Sequence, residues 1–212
     1  MTIGLKNVKP IYMSEDEISS SDIYLQDTVL FEKNKKYLII AGSGRGKTSL
    51  LNFIYGSNLN FDGRILYQHA PLKNSALFDL RKTKISYVFQ ELKLFSDLSV
   101  IENIQLKNGI TRHKTTDEID EWLDKVKLSS KRDSPAKTLS LGQKQRVAII
   151  RALCQPFEFL LLDEPFSHLD DKNSGIMVTI IQEELDKRSA GLIVTSLGNE
   201  PGRFDYDLIL NL

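Results

Sequence analysis

At 212 residues, 41% hydrophobic and 26% charged, the chain has the length and composition of one folded domain with a sizeable core. Its 28 lysines and arginines balance 28 aspartates and glutamates, so no net field draws it to nucleic acid or anionic lipid. Met1 to Lys9 lacks the apolar core of a signal peptide, no apolar run approaches the roughly 20 residues of a spanning helix, and the lone Cys154 has neither a disulfide partner nor metal-ligand companions. The expectation is a cytosolic chain with no direct membrane insertion and no nucleic acid partner, with Cys154 in its core.

In chain order, Ile3 to Val8 reads as a strand, the polar stretch Ser14 to Ser21 as a surface loop, and Tyr37 to Ile40 as a strand entering a glycine-rich segment. A helical pattern follows over Ser49 to Ile54, then a strand at Ile85 to Phe89. Glu91 to Thr138 carries helix signals and no clear strand; Thr115 with Glu118 forms a capping box for a helix through Trp122, Leu123 and Val126. Gln143 to Leu153 is helical and Phe159 to Asp163 is a strand. Met177, Ile180, Ile181 and Leu185 form one stripe of an amphipathic helix that starts near Asp170, and strands follow at Leu192 to Thr195 and Leu208 to Leu210. Strands alternating with helices predict an α/β fold, one domain over 1–212 with an inserted helical subdomain at about 91–138 plus the start of the helix over Gln143 to Leu153.

The segment Ala41-Gly42-Ser43-Gly44-Arg45-Gly46-Lys47-Thr48-Ser49 lies between a strand and a helix. Glycines there let backbone N–H groups converge on phosphate oxygens, the helix N-terminus adds partial positive charge, Lys47 reaches the β- and γ-phosphates, and the Thr48 hydroxyl can ligate Mg²⁺. ATP and Mg²⁺ are therefore the expected ligands. Arg45 touches phosphate or points to solvent, the latter being favoured. Tyr12 is the candidate for stacking on adenine and Tyr24 its rival, with a half-buried core tyrosine as the plain alternative for both.

A phosphate loop is shared by many nucleotide enzymes, so the other motifs decide. Gln90 follows its strand; Leu139-Ser140-Leu141-Gly142-Gln143 precedes a helix; Phe159-Leu160-Leu161-Leu162-Asp163-Glu164-Pro165 and Ser167-His168-Leu169-Asp170 come next. The apolar strand delivers Asp163 to the metal beside Thr48, and Glu164, one residue on, can polarise the water that attacks the γ-phosphate. Gln90 offers a neutral oxygen to the metal or the water. Ser140 and Gly142 would turn a hydroxyl, a backbone N–H and a helix N-terminus toward one anion.

Over essentially the whole chain this series resembles the ATP-binding cassette family, and the short length resembles compact cassettes of lipoprotein-release and macrolide-export systems. The resemblance implies a P-loop NTPase core with a mostly parallel sheet, and an antiparallel β subdomain near the N-terminus. It also implies a homodimer on ATP binding in which the signature residues Ser140, Leu141, Gly142 and Gln143, with Asp170, close over the nucleotide of the other subunit. Membrane-spanning permease subunits are the implied partners, received in a groove near Leu92, Leu94 and Phe95, with core packing as the equal alternative for these three residues. Leu141 stands where the family has glycine, and adds bulk. Ser196 stands where the family has a histidine that contacts the γ-phosphate; serine cannot carry imidazolium charge, so slow hydrolysis is expected. Of His69, His113 and His168, only His168 lies near the expected interface. The stretch from Glu91 to Thr138 is too short for the coiled coils of chromosome-maintenance relatives, and a single set of motifs argues against a two-cassette translation factor. A catalytically degenerate, ATP-binding regulatory switch is the alternative.

Overall fold

The structure, a computed structural model, describes residues 1–71, 74–198 and 204–212. Its elements run β1 (Thr2–Pro10), α1 (Glu15–Ile18), β2 (Thr28–Glu32), β3 (Lys36–Ile40), α2 (Lys47–Tyr55), β4 (Phe61–Tyr67), β5 (Ala70–Pro71) and α3 (Leu77–Asp79). A π-helical turn, Leu80–Lys84, leads into β6 (Ile85–Val88), α4 (Val100–Thr111), α5 (Thr116–Lys125), α6 (Leu141–Leu153), β7 (Phe159–Asp163), α7 (Asp171–Arg188), β8 (Gly191–Ser196) and β9 (Leu208–Asn211).

The central sheet has strand order β6-β7-β8-β3-β9 with every pairing parallel, and a second, antiparallel sheet has order β2-β1-β4-β5. Successive side chains of a strand face opposite ways, and both faces of the central sheet are covered. Leu38, Leu160, Leu162, Leu192 and Val194 point into the core shared with α4 to α7. Their neighbours Tyr37, Ile39, Leu161 and Ile193 point into a second core with α2 and the antiparallel sheet. The runs of β3, β6, β7 and β8 are thus almost unbroken apolar because neither face meets water, whereas the edge strand β9 leaves Leu208 and Ile209 exposed. Cys154 is fully buried, and burial pushes its thiol up to about 12, so it packs as a small apolar residue.

Four helices start on the same local device. Ser14 with Glu17, Ser99 with Glu102, Thr115 with Glu118 and Ser140 with Gln143 each exchange side-chain and backbone hydrogen bonds at an N-terminus. The first corrects the sequence reading, since Ser14 to Ser21 holds the short helix α1 and not an uninterrupted loop. Polar anchors fasten the helical insert to the rest. Arg146 donates to the carbonyl of Val126 at 2.7 Å, to Asn173 Oδ1 at 2.7 Å and to the carbonyl of Gly142 at 3.3 Å. Lys114 meets buried Glu184 of α7 at 3.0 Å.

Candidate active site

β3 ends at the glycine-rich loop and α2 begins inside it, at Lys47. The α2 N-cap, Gly46, has φ +89, a left-handed value that a residue with a Cβ resists. A methyl there would also press against Tyr24 Oη at 3.3 Å and the Met13 thioether at 3.4 Å. The loop wraps a cleft of about 180 Å³ lined by Tyr12, Ser43, Gly44, Gly46, Lys47, Thr48, Ser49, Gln90 and Glu164. N–H groups in the first turn of α2 have no helical acceptor, which suits this cleft to an anion.

The polar side chains form one connected set. Lys47 Nζ donates to the carbonyls of Ala41 at 2.7 Å and Gly42 at 2.9 Å, and lies 3.2 Å from Glu164 Oε1. Thr48 Oγ1 donates to Asp163 Oδ2 at 2.7 Å and stands 3.4 Å from Gln90 Oε1, while Gln90 Nε2 donates to Glu164 Oε2 at 3.3 Å. Asp163 is buried at the end of β7, where Thr195 Oγ1 donates to its Oδ1 at 2.6 Å and Tyr87 Oη to its Oδ2 at 3.4 Å. Burial raises this carboxyl above its ordinary range; the hydroxyls of Thr195 and Thr48 oppose the rise, and the charge of Glu164 adds to it.

Glu164 has φ +48, an unusual conformation for a residue with a side chain. Its surroundings hold it there: the N–H donates to the carbonyl and the hydroxyl of Thr195, each at 3.2 Å, and the carbonyl accepts from Gln145 Nε2 at 3.2 Å and Ser167 Oγ at 3.1 Å. The turn aims the carboxylate back into the cleft instead of along the strand. For Mg²⁺ the donor set fits: a hydroxyl, a carboxylate and an amide oxygen from Thr48, Asp163 and Gln90 are all hard ligands. Mg²⁺ characteristically takes one or two carboxylates and completes its shell with phosphate and water.

Tyr12 is 53% exposed at the rim, with its hydroxyl donating to Ser49, so a ring face is open to a base. Tyr24 is fully buried behind the loop, donating to the carbonyl of Gly46 at 3.3 Å, and is a core residue. Arg45 turns away from the cleft and donates to the carbonyl of Glu17 at 3.1 Å, tying the loop to α1.

The remaining sequence candidates lie elsewhere. Ser140 caps α6, its hydroxyl accepting from Gln143 N at 3.3 Å while Gln143 Oε1 accepts from Ser140 N at 2.9 Å. Leu141 is 48% exposed and borders a separate groove with Gln90, Glu91, Leu92 and Leu94. Within that segment Leu92 is buried and Phe95 is exposed. Gly142 is required by contact, since a Cβ there would meet the His168 carbonyl at 2.7 Å. Asp170 caps α7, and the Asn173 N–H keeps its carboxyl below the ordinary range. Ser196 is 3% exposed, accepts from Gly198 N at 3.2 Å and does not line the cleft.

Residues 26–167 match the family described as ABC transporter. The chain belongs to that family. This ABC chain is 35% identical over 185 residues to the macrolide export ATP-binding/permease protein MacB of Campylobacter jejuni, covering 84% of itself and 29% of that relative. It therefore spans under a third of MacB. It is 29% identical to YclH of Bacillus subtilis, an uncharacterized ABC transporter ATP-binding protein, covering 84% of itself and 80% of YclH. Among solved structures, the dimeric bacterial ABC transporter cassette MJ0796 superposes with a TM-score of 0.78 at 23% identity, covering 99% of this chain and 94% of the other. A putative ABC transporter ATP-binding protein of Pyrococcus furiosus gives 0.75 at 20% identity, covering 100% and 98%. These likenesses establish the ABC ATPase fold for the chain. No helix among the described residues is long and apolar enough to cross a membrane.

Three residues that support the site of this ABC chain escaped the sequence reading: Tyr87, Thr195 and Gln145. The β7–β8 register sets Thr195 beside Asp163, and only pairing brings them together. The spacing of Gln145 from Glu164 carried no signal either, because the contact crosses from α6 to a turn.

Proposed function

We propose that the chain binds Mg²⁺-ATP in this cleft and hydrolyses it as the ATPase of a membrane transporter. In this reading it works at the inner face of the membrane, as a homodimer that closes on ATP and is coupled to separate permease subunits. The observation that carries the reading is the convergence of Lys47, Thr48, Gln90, Asp163 and Glu164 in one hydrogen-bonded set. Lys47 and the loop amides bind the triphosphate, and Thr48 and Asp163 would hold the metal, which would supply positive charge against the negative charge that develops on the phosphates. Glu164 then takes a proton from the attacking water, which Gln90 helps to orient. The signature residues lie apart from this cleft, so they are available to the nucleotide of a second copy.

Purified chain and Glu164→Gln are compared for Mg²⁺-ATP turnover and for gel-filtration size with ATP. Turnover lost in the variant, with ATP-dependent dimerisation of that variant, is expected. Equal turnover in both overturns the assignment of Glu164. Ser196 favours a second reading, a cassette that binds ATP and dimerises but hydrolyses little. Ser196→His is expected to raise turnover severalfold, and an unchanged rate sinks the idea that this position limits it.

A further inference from the structure

We propose that His168 completes the active site of the partner subunit, donating a hydrogen bond from Nε2 to a γ-phosphate oxygen of the nucleotide held there. It thereby supplies the imidazole that position 196 lacks. The proposal rests on the dimer reading above, in which the α6 N-terminus of one copy closes over the nucleotide of the other.

The hydrogen bonds around His168 fix its ring. The Glu164 carbonyl can only accept, so the Ser167 hydroxyl donates to it, at 3.1 Å. Ser167 Oγ is then the acceptor for His168 Nδ1–H, at 2.9 Å. Nδ1 carries the hydrogen in this assignment, and Nε2 has no partner among the described residues. The side chain is exposed, so Nε2 is presented outward from the surface of the molecule. With a hydrogen on both nitrogens the ring keeps its bond to Ser167 and offers Nε2 as a charged donor, the form suited to a phosphate oxygen.

The backbone of His168 fixes where that donor stands. Its N–H donates to Gln145 Oε1 at 3.3 Å, and its carbonyl sits so close to Gly142 that a methyl on the glycine would come within 2.7 Å. Ser140, Gly142 and His168 therefore share one face. Whatever nucleotide the first two close over, the third arrives with them. His168 does not line the cleft of its own chain, so it serves the other copy. Neither other histidine competes: His69 lies between β4 and β5, beside Met1 and Thr2, and His113 is exposed in the turn between α4 and α5.

In the reaction, the water oxygen bonds to the γ-phosphorus and the bond to the β–γ bridging oxygen breaks. That oxygen leaves on ADP with the electron pair, and the water proton goes to Glu164. His168 transfers nothing; it stabilises charge gathering on the γ-phosphoryl oxygens.

The test mixes two defective variants, Glu164→Gln and His168→Ala, after each alone has been measured for turnover and for ATP-dependent dimerisation. Turnover of His168→Ala is expected to fall on the order of 10²-fold. In a mixed dimer, the site on the His168→Ala subunit has its own Glu164 and receives His168 from the other chain. Equimolar mixing should therefore restore turnover well above either variant alone, and His168→Ala with Ser196→His in one chain should recover without mixing. If both variants dimerise with ATP and mixing restores nothing, the proposal fails while the dimer reading stands. If Glu164→Gln does not dimerise with ATP, the dimer reading itself fails.

Discussion

Lys47 and Glu164 face each other across the cleft with 3.2 Å between amine and carboxylate, both largely shielded from water. The amine proposed to bind phosphate is thus also the partner of the proposed general base. In that reading phosphate and Glu164 compete for Lys47, so neutralising the glutamate frees the lysine. Glu164→Gln is expected to bind ATP more tightly by about 1 kcal/mol, close to fivefold in dissociation constant. Titration of wild type and variant with a fluorescent ATP analogue checks this, and equal affinities would show that the pair does not oppose binding.

Thr195 serves two residues at once, donating to Asp163 Oδ1 and accepting from Glu164 N. Thr195→Val keeps the shape and removes the hydroxyl, leaving a buried carboxylate oxygen short of a donor. A loss of about 1–3 kcal/mol in unfolding free energy is expected, read by urea denaturation. The Mg²⁺ concentration needed for half-maximal turnover should rise as well, because the Asp163 rotamer loses its tether.

Gly142→Ala places a methyl 2.7 Å from the His168 carbonyl, and backbone cannot yield as a flexible side chain would. The α6 N-terminus or the 167–170 turn must shift, at about 1–3 kcal/mol. ATP binding by the isolated chain should survive, since Gly142 is outside the cleft, while ATP-dependent dimerisation weakens. Comparing nucleotide affinity with gel-filtration size separates the two effects.

Acid should loosen the insert through Glu118. Its carboxyl is held down from 4.5 to about 2 by the Thr115 backbone N–H and by Lys114. A carboxyl depressed in the folded state contributes stability that is fully present above its unfolded value and lost as pH falls through the folded one. The melting temperature of wild type should therefore exceed that of Glu118→Gln by a constant margin above pH 5, a margin that shrinks between about pH 4.5 and 2. At buried Glu184, burial raises the carboxyl, but Arg188 and Lys114 more than offset it and leave it lowered, so acid weakens this anchor in the same direction. A margin that does not change with pH would remove Glu118 as its source.

The central sheet was legible because its strands other than the edge strand β9 are buried on both faces and read as short apolar runs, from Tyr37 to Ile40 through Leu192 to Thr195. Only margins moved, Phe89 falling just outside β6. β2 and β4 escaped individual notice because their partly exposed, irregular patterns, Thr28–Glu32 and Phe61–Tyr67, lack clean alternation. Ser99 with Glu102 repeats the capping box read at Thr115, so the start of α4 was readable and went unread. The phosphate loop and Asp163-Glu164 were legible because their chemistry demands fixed neighbours in sequence. The Thr195 hydrogen bonds, the left-handed turn at Glu164 and the burial of Tyr24 come from tertiary packing that local spacing does not encode.

Near the far end of α6, Arg151 grips the loop that follows Gln90, donating to the carbonyls of Leu92 at 2.6 Å and Lys93 at 2.7 Å. At the other end Ser140 caps the same helix, and Arg146 clamps its second turn to Val126 and Asn173. Thirteen residues of α-helix make a rod of about 20 Å. The groove beside Leu92 and Leu94 also borders Leu141 and Lys144 in the first turn of α6 and Gln90 at the nucleotide cleft. A push there therefore reaches the face that carries Ser140 and Gly142 both directly and through the Arg151 guanidinium, and it reaches the cleft through Gln90.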